Sequence, residues 1–387
     1  MFIPSRFGNI LKLLPRQKIA NFVKKRGTDF RRRCFFTWDH LVAMLGGQLA
    51  DLGSLRDMEN LFDRHKSHHY HLHCTGVKKS TLSDANNTRD PLVFADIATA
   101  LMAMNMRQNK KTKQLLSALD SSPIQLCGRG HEWAENTTTR TYCQGLKLHL
   151  MVTPGSGAID YLNITDMNVN DITDAQSMPL ESDRIYVFDK GYFDYNWWHE
   201  ICEAGSHFVT RIKKNTAYTV LETRALAAKE DDHILKDMVI ELSNKAPRSG
   251  KVNKLAGRRL RLIEIEHPGG KKDSPFYIIS DMMEATASEI AACYKQRWAI
   301  ELLFKWLKQN LKIKRFMGES RNAILIQIYV AIIAYLLLRL YKKLLGKNHR
   351  GRLKDLLVAL KTGLFQRPEN HDKQQTEPPD TQPMLEL

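Results

Sequence analysis

The spacing of apolar residues changes along the chain. Between residues 38 and 105 apolar side chains recur at helical intervals, as in the segment WDHLVAMLGGQLADLGSLRDMENLF, and this pattern predicts an all-helical N-terminal domain. From about residue 113 to residue 213 the pattern changes to short β-prone segments separated by turn residues. Three predicted antiparallel strands come first, and strands that alternate with helices follow. This order predicts an α/β domain.

The later part of the chain predicts an insertion, a return to helices and a tail. Residues 214–275 contain β-rich pieces joined by Lys, Gly and Pro turns, and so long a segment is rarely a bare loop in a compact domain. The strand PFYIIS and then helical patterns lead to a Pro-rich acidic tail, which predicts disorder. The predicted boundaries are 1–37 for a basic arm, 38–110 for the helical domain, 111–213 and 276–365 for two parts of the α/β core, 214–275 for the β-rich insertion and 366–387 for the tail.

One apolar segment, Ile324–Leu338, has the composition of a membrane span. It has only 15 residues and contains a Gln and two Tyr, whereas a spanning helix needs about 20 apolar residues. The segment therefore predicts a buried core helix, and no membrane partner is expected. The N-terminal sequence lacks the long apolar stretch of a secretory signal, and the six cysteines form no C-x-x-C pair. We expect reduced thiols and a cytoplasmic location.

The charge balance points to a polyanionic partner. Lys and Arg number 58 against 42 Asp and Glu, a formal net charge of +16. A folded protein this basic most often binds nucleic acid or an anionic membrane surface. Residues 1–33 carry ten basic residues and one acid, and a helix is predicted from Pro15 to Arg26 with Gly27 as its stop. This arm is either solvated or lies on phosphates.

A histidine-rich turn follows the first predicted helices. It spans residues 65–74 and contains His65, His68, His69, His71, His73 and Cys74. Such residues can bind zinc, but a structural zinc site usually draws paired ligands from two separated places. The sequence offers no second cluster of zinc-ligand residues to pair with this one. This favours a polar, solvated linker and leaves the role of the turn open.

A helical segment near residue 300 carries the most informative charge pattern. At 100° per residue, one stripe of the segment CYKQRWAIELLFKWLKQNLKIKR holds Glu301 as its only acid. The other members of this stripe are Tyr294, Arg297, Lys305, Lys308 and Lys312. The pattern fits an exposed charged face with local ion pairs. It also fits a carboxylate that holds a metal ion beside bound phosphates.

Two further acids close predicted strands. Asp120 ends the segment SALD, and Asp189 ends the apolar segment IYVFD. Each alone can be the start of a turn. Together with Glu301 they are three carboxylates from three core elements, and such a set can bind two hard cations, which prefer oxygen ligands.

The spacing of these residues resembles that of a known family. Tyr294-x2-Arg297-x3-Glu301-x6-Lys308 is similar to the Y-R-E-K signature of the insertion-sequence-four family of bacterial DDE transposases. Asp189-Lys-Gly-Tyr resembles the second motif of this family, and Asp120-Ser-Ser resembles the first. The resemblance runs from about residue 38 to residue 345.

The resemblance implies a fold and a set of functional residues. It implies an RNase H-like α/β core, a mixed sheet flanked by helices, with the β-rich insertion before the third acid. It implies that Asp120, Asp189 and Glu301 are catalytic and bind two Mg²⁺ ions, for which Mn²⁺ can substitute. Phosphate contacts at the transposon end are expected from the cations and the tyrosine of the signature stripe, namely Tyr294, Arg297, Lys305, Lys308 and Lys312.

The implied activity is cut-and-paste transposition. The expected partners are double-stranded DNA, as terminal inverted repeats and target, and a second copy of the chain on that DNA. Two alternatives share the same residues: a metal-dependent nuclease that cuts without joining, and a catalytically decayed DNA-binding regulator. The insertion 214–275 contains no Trp, which leaves open both a hairpin route and the residue that would stack a flipped base.

Overall fold

The computed structural model of the chain describes residues 5–107, 115–127, 129–137, 142–213, 215–226, 233–243, 252–266, 276–311, 313, 316–346 and 351–367. The chain divides into two compact units. The helical unit comprises residues 1–101 and 309–387, and the sheet unit comprises residues 102–308.

The helices of the described residues are numbered in chain order. They are α1 (Arg6–Leu11), α2 (Arg16–Arg26), α3 (Thr37–Leu49), α4 (Leu55–Arg64), α5 (His69–Leu72), α6 (Lys79–Thr88), α7 (Leu92–Arg107), α8 (Asp171–Ser177), α9 (Tyr195–Glu203), α10 (Ala287–Lys295), α11 (Trp298–Asn310), α12 (Arg321–Leu344) and α13 (Leu353–Gly363).

The strands are numbered in the same way. They are β1 (Leu115–Gln125), β2 (Glu135–Thr137), β3 (Tyr142–Thr153), β4 (Ala158–Asp166), β5 (Arg184–Val187), β6 (His207–Arg211), β7 (Tyr218–Arg224), β8 (Ile234–Leu242), β9 (Leu260–Ile265) and β10 (Phe276–Ser280).

Helix α12 forms the centre of the helical unit. It packs against α3, α6 and α13, because its apolar residues cover the whole helix circumference and need partners on several sides. The sequence places this segment in the second part of the α/β core, residues 276–365, whereas in the structure it packs within the compact helical unit. Within the described residues α12 is also the one helix long and apolar enough to cross a membrane, yet 89% of its most apolar window is buried. The prediction of a core helix agrees with this burial.

The N-terminal segment is folded into the helical unit and is not a separate arm. Phe7, Ile10 and Leu11 of α1 are almost completely buried, and α1 packs against α12 and α13. Helix α2 ends as predicted, since Gly27 adopts a left-handed φ of 62° at its C-terminus. The basic residues of α2 lie on a helix whose opposite side is anchored through Ile19, which is 3% exposed.

The sheet unit is built on one mixed sheet. Strands β4, β3 and β1 are neighbours in antiparallel order, and β1, β5 and β6 follow as parallel neighbours. Three antiparallel strands followed by strands that alternate with helices is the order predicted from the sequence. The expected α/β core, a mixed sheet flanked by helices, is confirmed.

Residues of the predicted insertion extend this same sheet. Strand β10 pairs with β6, and β9, β8 and β7 continue outward from β10. Strands β7 to β9 lie between residues 218 and 265. The 214–275 segment is therefore β-rich as predicted, but its described strands join the core sheet through β10 and form no separate sheet.

The two faces of the sheet bury different helices. On one face Tyr186 and Phe208 pack with Trp197 and Trp198 of α9. On the other face Ile185, Val187 and Val209 pack with helix α10. Because side chains alternate along a strand, the neighbours in β5 serve opposite layers. This sandwich of helices around the sheet fixes the positions of the strand ends.

Candidate active site

The parallel pairing of β1 with β5 brings two of the predicted acids side by side. Ala118 pairs with Val187 in the parallel register, and Asp120 and Asp189 each follow two residues later along their own strands. The sequence predicted that Asp120 ends its strand. In the structure β1 continues past Asp120 to Gln125. Asp189 does follow the end of β5, where its side chain accepts a hydrogen bond from the backbone N–H of Gly191 at 2.5 Å.

The segment that carries the third acid is broken into two helices. Helix α10 ends at Lys295 and α11 begins at Trp298, whereas the sequence predicted one helix through this region. Arg297 lies in the turn between them and Glu301 lies in the first turn of α11. The backbone N–H of Arg297 donates to the Tyr294 carbonyl at 3.0 Å, a tighter turn than an α-helix makes. The predicted stripe assumed one continuous helix at 100° per residue. The break between α10 and α11 changes the angular positions of these residues, so that prediction is wrong.

Arg297 nevertheless connects the acids. Its Nη2 donates to Glu301 Oε1 at 2.5 Å, and its Nη1 lies 3.9 Å from Asp120 Oδ2. The Arg297 side chain is 17% exposed, against 23% for Asp120 and 33% for Glu301. Two predicted site carboxylates thus share one partly buried guanidinium.

The surroundings of Asp120 perturb the pKa of its carboxyl group. Burial raises the pKa of Asp120 to about 6, against the lowering effects of the Ser121 backbone N–H and the Arg297 charge. The negative charges of Asp189 and Glu301 raise this pKa further. Both other acids are therefore close enough to Asp120 to influence its charge, and the group of three stabilises a cation placed among them.

The donor set fits a divalent metal ion chemically. Carboxylate oxygens are the ligands that Mg²⁺ and Mn²⁺ prefer. In the described part of the chain, no three His, Cys, Asp or Glu side chains converge at metal-binding distance. The Arg297 guanidinium instead donates to Glu301 and lies 3.9 Å from Asp120, so it supplies a positive charge to these two carboxylates.

The five residues predicted to bind DNA lie in different environments. Tyr294 is 9% exposed and packs edge-on against Phe276 at 5.5 Å. Lys305 is exposed on α11, and Lys308 is half-buried one turn further. Lys312 lies outside the described residues.

A polar cluster beside the aspartates was missed by the sequence analysis. Asp171 Oδ1 accepts hydrogen bonds from Ser121 Oγ at 2.7 Å and from Lys147 Nζ at 3.0 Å. Lys147 also donates to the Val169 carbonyl at 2.6 Å. A sequence signal was available, since Lys147 and His149 alternate with leucines in the strand segment LKLHL.

The histidine-rich turn has local contacts. His65 stacks on Phe365 with ring centroids 4.2 Å apart, and His69 Nε2 lies 3.0 Å from the Phe62 carbonyl oxygen. These histidines take part in no group of three potential metal ligands within the described chain. Four of the five histidines make ring contacts within the helical unit: His65 and His68 with Phe365, His69 with Phe62 and His71 with Tyr70.

Comparison with known families identifies the class of protein. Residues 111–337 match the model of the transposase DDE domain, which covers more than half of the chain. The chain belongs to the DDE transposase family. It is an enzyme, a DNA transposase, of a family that uses divalent metal ions. Residues 4–74 match a second model, a domain of unknown function, DUF4372.

Relatives support the same class. A protein of Sinorhizobium fredii named as a transposase is 36% identical over 68% of this chain and 71% of its own length. A protein of Geobacillus stearothermophilus named as the transposase of an insertion sequence element is 26% identical, over 63% of each chain. A protein similarly named in Synechocystis sp. is 28% identical over 87% of this chain and 88% of its own length.

A solved structure also resembles the chain. It is a piggyBac transposase in a synaptic complex with hairpin DNA, with a TM-score of 0.48 and 12% sequence identity. The match covers 96% of this chain and 80% of that chain.

Proposed function

We propose that this transposase moves DNA by a cut-and-paste route and that Asp120, Asp189 and Glu301 are its catalytic acids. The observation that carries the proposal is their arrangement around strands β1 and β5. The strands β1 and β5 are parallel neighbours, Asp120 lies on β1 and Asp189 follows the end of β5, and Arg297 contacts Glu301 and lies 3.9 Å from Asp120. Membership of the insertion-sequence-four group rests on the Tyr294-Arg297-Glu301-Lys308 spacing.

The three carboxylates are proposed to hold two Mg²⁺ ions, with Mn²⁺ as a substitute. Such ions would activate the attacking oxygen and stabilise the leaving oxygen in a displacement at phosphorus. The protein's part is to keep Asp120 ionised and oriented. The Ser121 backbone N–H, which donates to Asp120 Oδ1 at 2.8 Å, favours the ionised form.

The cations near Glu301 are proposed to bind the phosphates of the transposon end. Arg297, Lys305 and Lys308 carry charge beside the acids, and phosphate contacts position DNA without reading its sequence. Lys312 keeps the same predicted role. Tyr294 is 9% exposed and its ring packs against Phe276, so the proposed phosphate contact of this residue is made through its hydroxyl group.

The proposed partners are terminal inverted repeats, target DNA and a second copy of the chain. One chain offers one set of three acids, and an element has two ends to cut. The net charge of +16 suits a protein that associates with DNA in the bacterial cytoplasm and nucleoid.

The first experiment separates transposition from simple cleavage. Purified protein is mixed with linear DNA carrying the element's ends, supercoiled target DNA and Mg²⁺. A transposase yields both cut ends and joined products, a nuclease yields cut ends alone, and a decayed regulator yields neither. Joined products are expected.

Substitutions then test the assigned acids. Asp120→Asn, Asp189→Asn and Glu301→Gln should each lower cleavage by a factor on the order of 10³ or more, since groups that act as one unit lose most activity singly. Glu200→Gln, at an exposed position of α9, is the matched control. Cleavage that persists in any of the three would remove that residue from the site.

A mixing experiment tests the dimer. Glu301→Ala protein is combined with an N-terminally truncated protein that keeps its three acids. If each chain grips one end and cuts the other, the mixture recovers cleavage that neither protein shows alone. No recovery at any ratio of two folded proteins would argue against cutting in trans, and a mass of one protein per cleaved end pair would exclude the dimer.

A further inference from the structure

A small cluster of charged and polar residues lies directly beside the two aspartates. We name it the Asp171 cluster, and its members are Ser121, Lys147 and Asp171. Both side-chain donors converge on one oxygen, Asp171 Oδ1, at 2.7 Å from Ser121 Oγ and 3.0 Å from Lys147 Nζ. The Lys147 and Asp171 side chains are 16% and 28% exposed. Their geometry is fixed by short hydrogen bonds in a site largely removed from water.

Asp171 contacts the chain segment that carries Asp120. Ser121, which donates its hydroxyl to Asp171, is the next residue along β1. The backbone N–H of the same serine donates to Asp120 Oδ1 at 2.8 Å. A hydrogen bond that fixes Ser121 therefore also fixes the donor that orients the Asp120 carboxylate.

Asp171 also lies against the segment that carries Asp189. Helix α8, which begins at Asp171, packs on the turn Lys190–Tyr192. A Cβ atom at Gly191 would lie 3.3 Å from Asp189 Oδ1 and 3.7 Å from Asp171 Oδ2. Both carboxylates therefore lie beside the same backbone position, and the absence of a side chain at Gly191 leaves room between them. Asp171 thus hydrogen-bonds to the residue that follows Asp120 and lies beside the turn that follows Asp189.

We propose that Asp171, held by Lys147, is a positioning residue that sets the relative placement of Asp120 and Asp189 for metal binding. The proposal rests on the proposed function in taking these two aspartates as metal ligands. Residues that hydrogen-bond to metal ligands or their supports orient them, and their loss typically costs 10- to 100-fold in metal affinity. Lys147 completes the arrangement because it neutralises an extra negative charge that would otherwise repel the two aspartates.

The decisive variant changes no charge. Ser121→Ala removes the hydroxyl that links β1 to Asp171, and Ser121→Thr keeps a hydroxyl. Ser117→Ala is the matched control on the same strand, since Ser117 Oγ accepts a hydrogen bond at 2.7 Å from Arg184, itself paired with Asp160. Mn²⁺ binding is measured by calorimetry on the full chain without DNA, and thermal melting reports folding.

We expect Ser121→Ala to weaken Mn²⁺ binding about 10-fold. Ser121→Thr should bind within about twofold of the unaltered protein, and so should Ser117→Ala. Asp171→Asn should weaken binding at least as much as Ser121→Ala. The double variant Lys147→Met with Asp171→Asn should have the same Mn²⁺ affinity as Asp171→Asn alone, because the lysine acts through Asp171.

Each contrary outcome has a defined meaning. Unchanged Mn²⁺ affinity in folded Ser121→Ala and Asp171→Asn overturns the positioning role, and so does an equal loss in Ser117→Ala. If the double variant binds Mn²⁺ clearly more weakly than Asp171→Asn, the inference that Lys147 acts through Asp171 is overturned. Asp120→Asn separates this inference from the function beneath it. If that variant still binds Mn²⁺ normally, the proposed metal ligands are wrong and the inference fails with them.

Discussion

Replacing Arg297 should tighten metal binding and weaken DNA binding, two effects of opposite sign from one substitution. In the structure the Arg297 guanidinium donates to Glu301 and lies 3.9 Å from Asp120. A metal ion at the proposed site would compete with this guanidinium for the same carboxylate oxygens. Arg297→Met keeps much of the side-chain volume and removes that competitor.

The size of the effect follows from the geometry. Unit charges at 3.9 Å attract by about 4 kcal/mol at an effective dielectric constant near 20. Desolvation of the partly buried groups offsets part of this, and hydrogen bonds to charged groups contribute about 1.5–3 kcal/mol net. At about 1.4 kcal/mol per factor of ten, Arg297→Met should bind Mn²⁺ roughly 10- to 100-fold more tightly. The unrelieved repulsion between Asp120 and Glu301 acts in the same direction.

Two measurements test the reversal. Calorimetry without DNA gives the Mn²⁺ affinity. Fluorescence anisotropy with labelled duplex at several salt concentrations gives the DNA affinity and its salt slope. The slope should fall by about 1, because one phosphate contact releases about one counterion. Lys305→Met is the control for metal affinity, since Lys305 is exposed on α11 and has no recorded ion pair with these acids in the described chain.

The reasoning is refuted by one clear pattern. If Arg297→Met melts like the unaltered protein yet binds Mn²⁺ equally or more weakly, Arg297 is no competitor for the metal site. If Lys305→Met gains as much metal affinity as Arg297→Met, the cause is the general field of the basic surface and not the direct contact.

Three further predictions concern single residues. Gly191→Ala should fold normally but lose cleavage and Mn²⁺ affinity, since its methyl group would lie 3.3 Å from Asp189 Oδ1; Gly53→Ala, in open space, should change neither. Lys308→Ala should weaken binding to all duplex sequences alike and flatten the salt dependence, and anisotropy that shows a changed sequence preference at an unchanged slope would contradict a phosphate contact. Burial lowers the pKa of His40 from 6.5 to about 3, so stability is lost as pH falls below about 6.5, where only the unfolded chain takes up the proton. By pH 5 the free energy of unfolding is lower by about 2 kcal/mol from this cause. Denaturant titrations should therefore show a drop in the free energy of unfolding between pH 7.5 and pH 5 that is smaller by this amount in His40→Gln.

The contacts of His40 explain why burial lowers the pKa of this residue. Its Nε2 lies 2.8 Å from Asn86 Oδ1, an acceptor that requires the ring to donate there. Its Nδ1 is buried and has no hydrogen-bond partner among the described residues. A proton added to Nδ1 would be a buried charge without an acceptor, close to Arg89. The neutral form is therefore favoured in the folded protein.

Local patterns predicted those features that depend on neighbouring residues. Gly27 ends α2 because only a residue that tolerates a left-handed backbone is favoured there. Asp189 was recognised because it follows an apolar strand and precedes Lys-Gly-Tyr. Glu301 stood out because it is a lone acid among cations. In each case the physical cause lies within a few residues of the chain.

Features that depend on distant pairing could not be predicted in the same way. The strand β1 runs past Asp120 because residues 118–125 pair with β3, and nothing in SALDSSPIQ states that partner. The segment 214–275 extends the core sheet because β9 pairs with β10. Lys147 and Asp171 meet across 24 residues of sequence. Register and tertiary contact decide these positions, and residue periodicity carries little information about either.

The break between α10 and α11 gives the Tyr294-Arg297-Glu301 spacing a different physical meaning. On one helix these residues would form an exposed stripe with similar roles. In the structure Tyr294 is anchored in the core beside Phe276, Arg297 lies in the connecting turn, and Glu301 lies in the first turn of α11. A carboxylate at a helix N-terminus is stabilised by the helix dipole, and a guanidinium in a turn reaches groups on both sides. The spacing therefore specifies a core residue, Tyr294, a cation in the turn, Arg297, and a carboxylate, Glu301. Arg297 holds Glu301 toward Asp120 although the two acids belong to different layers of the fold.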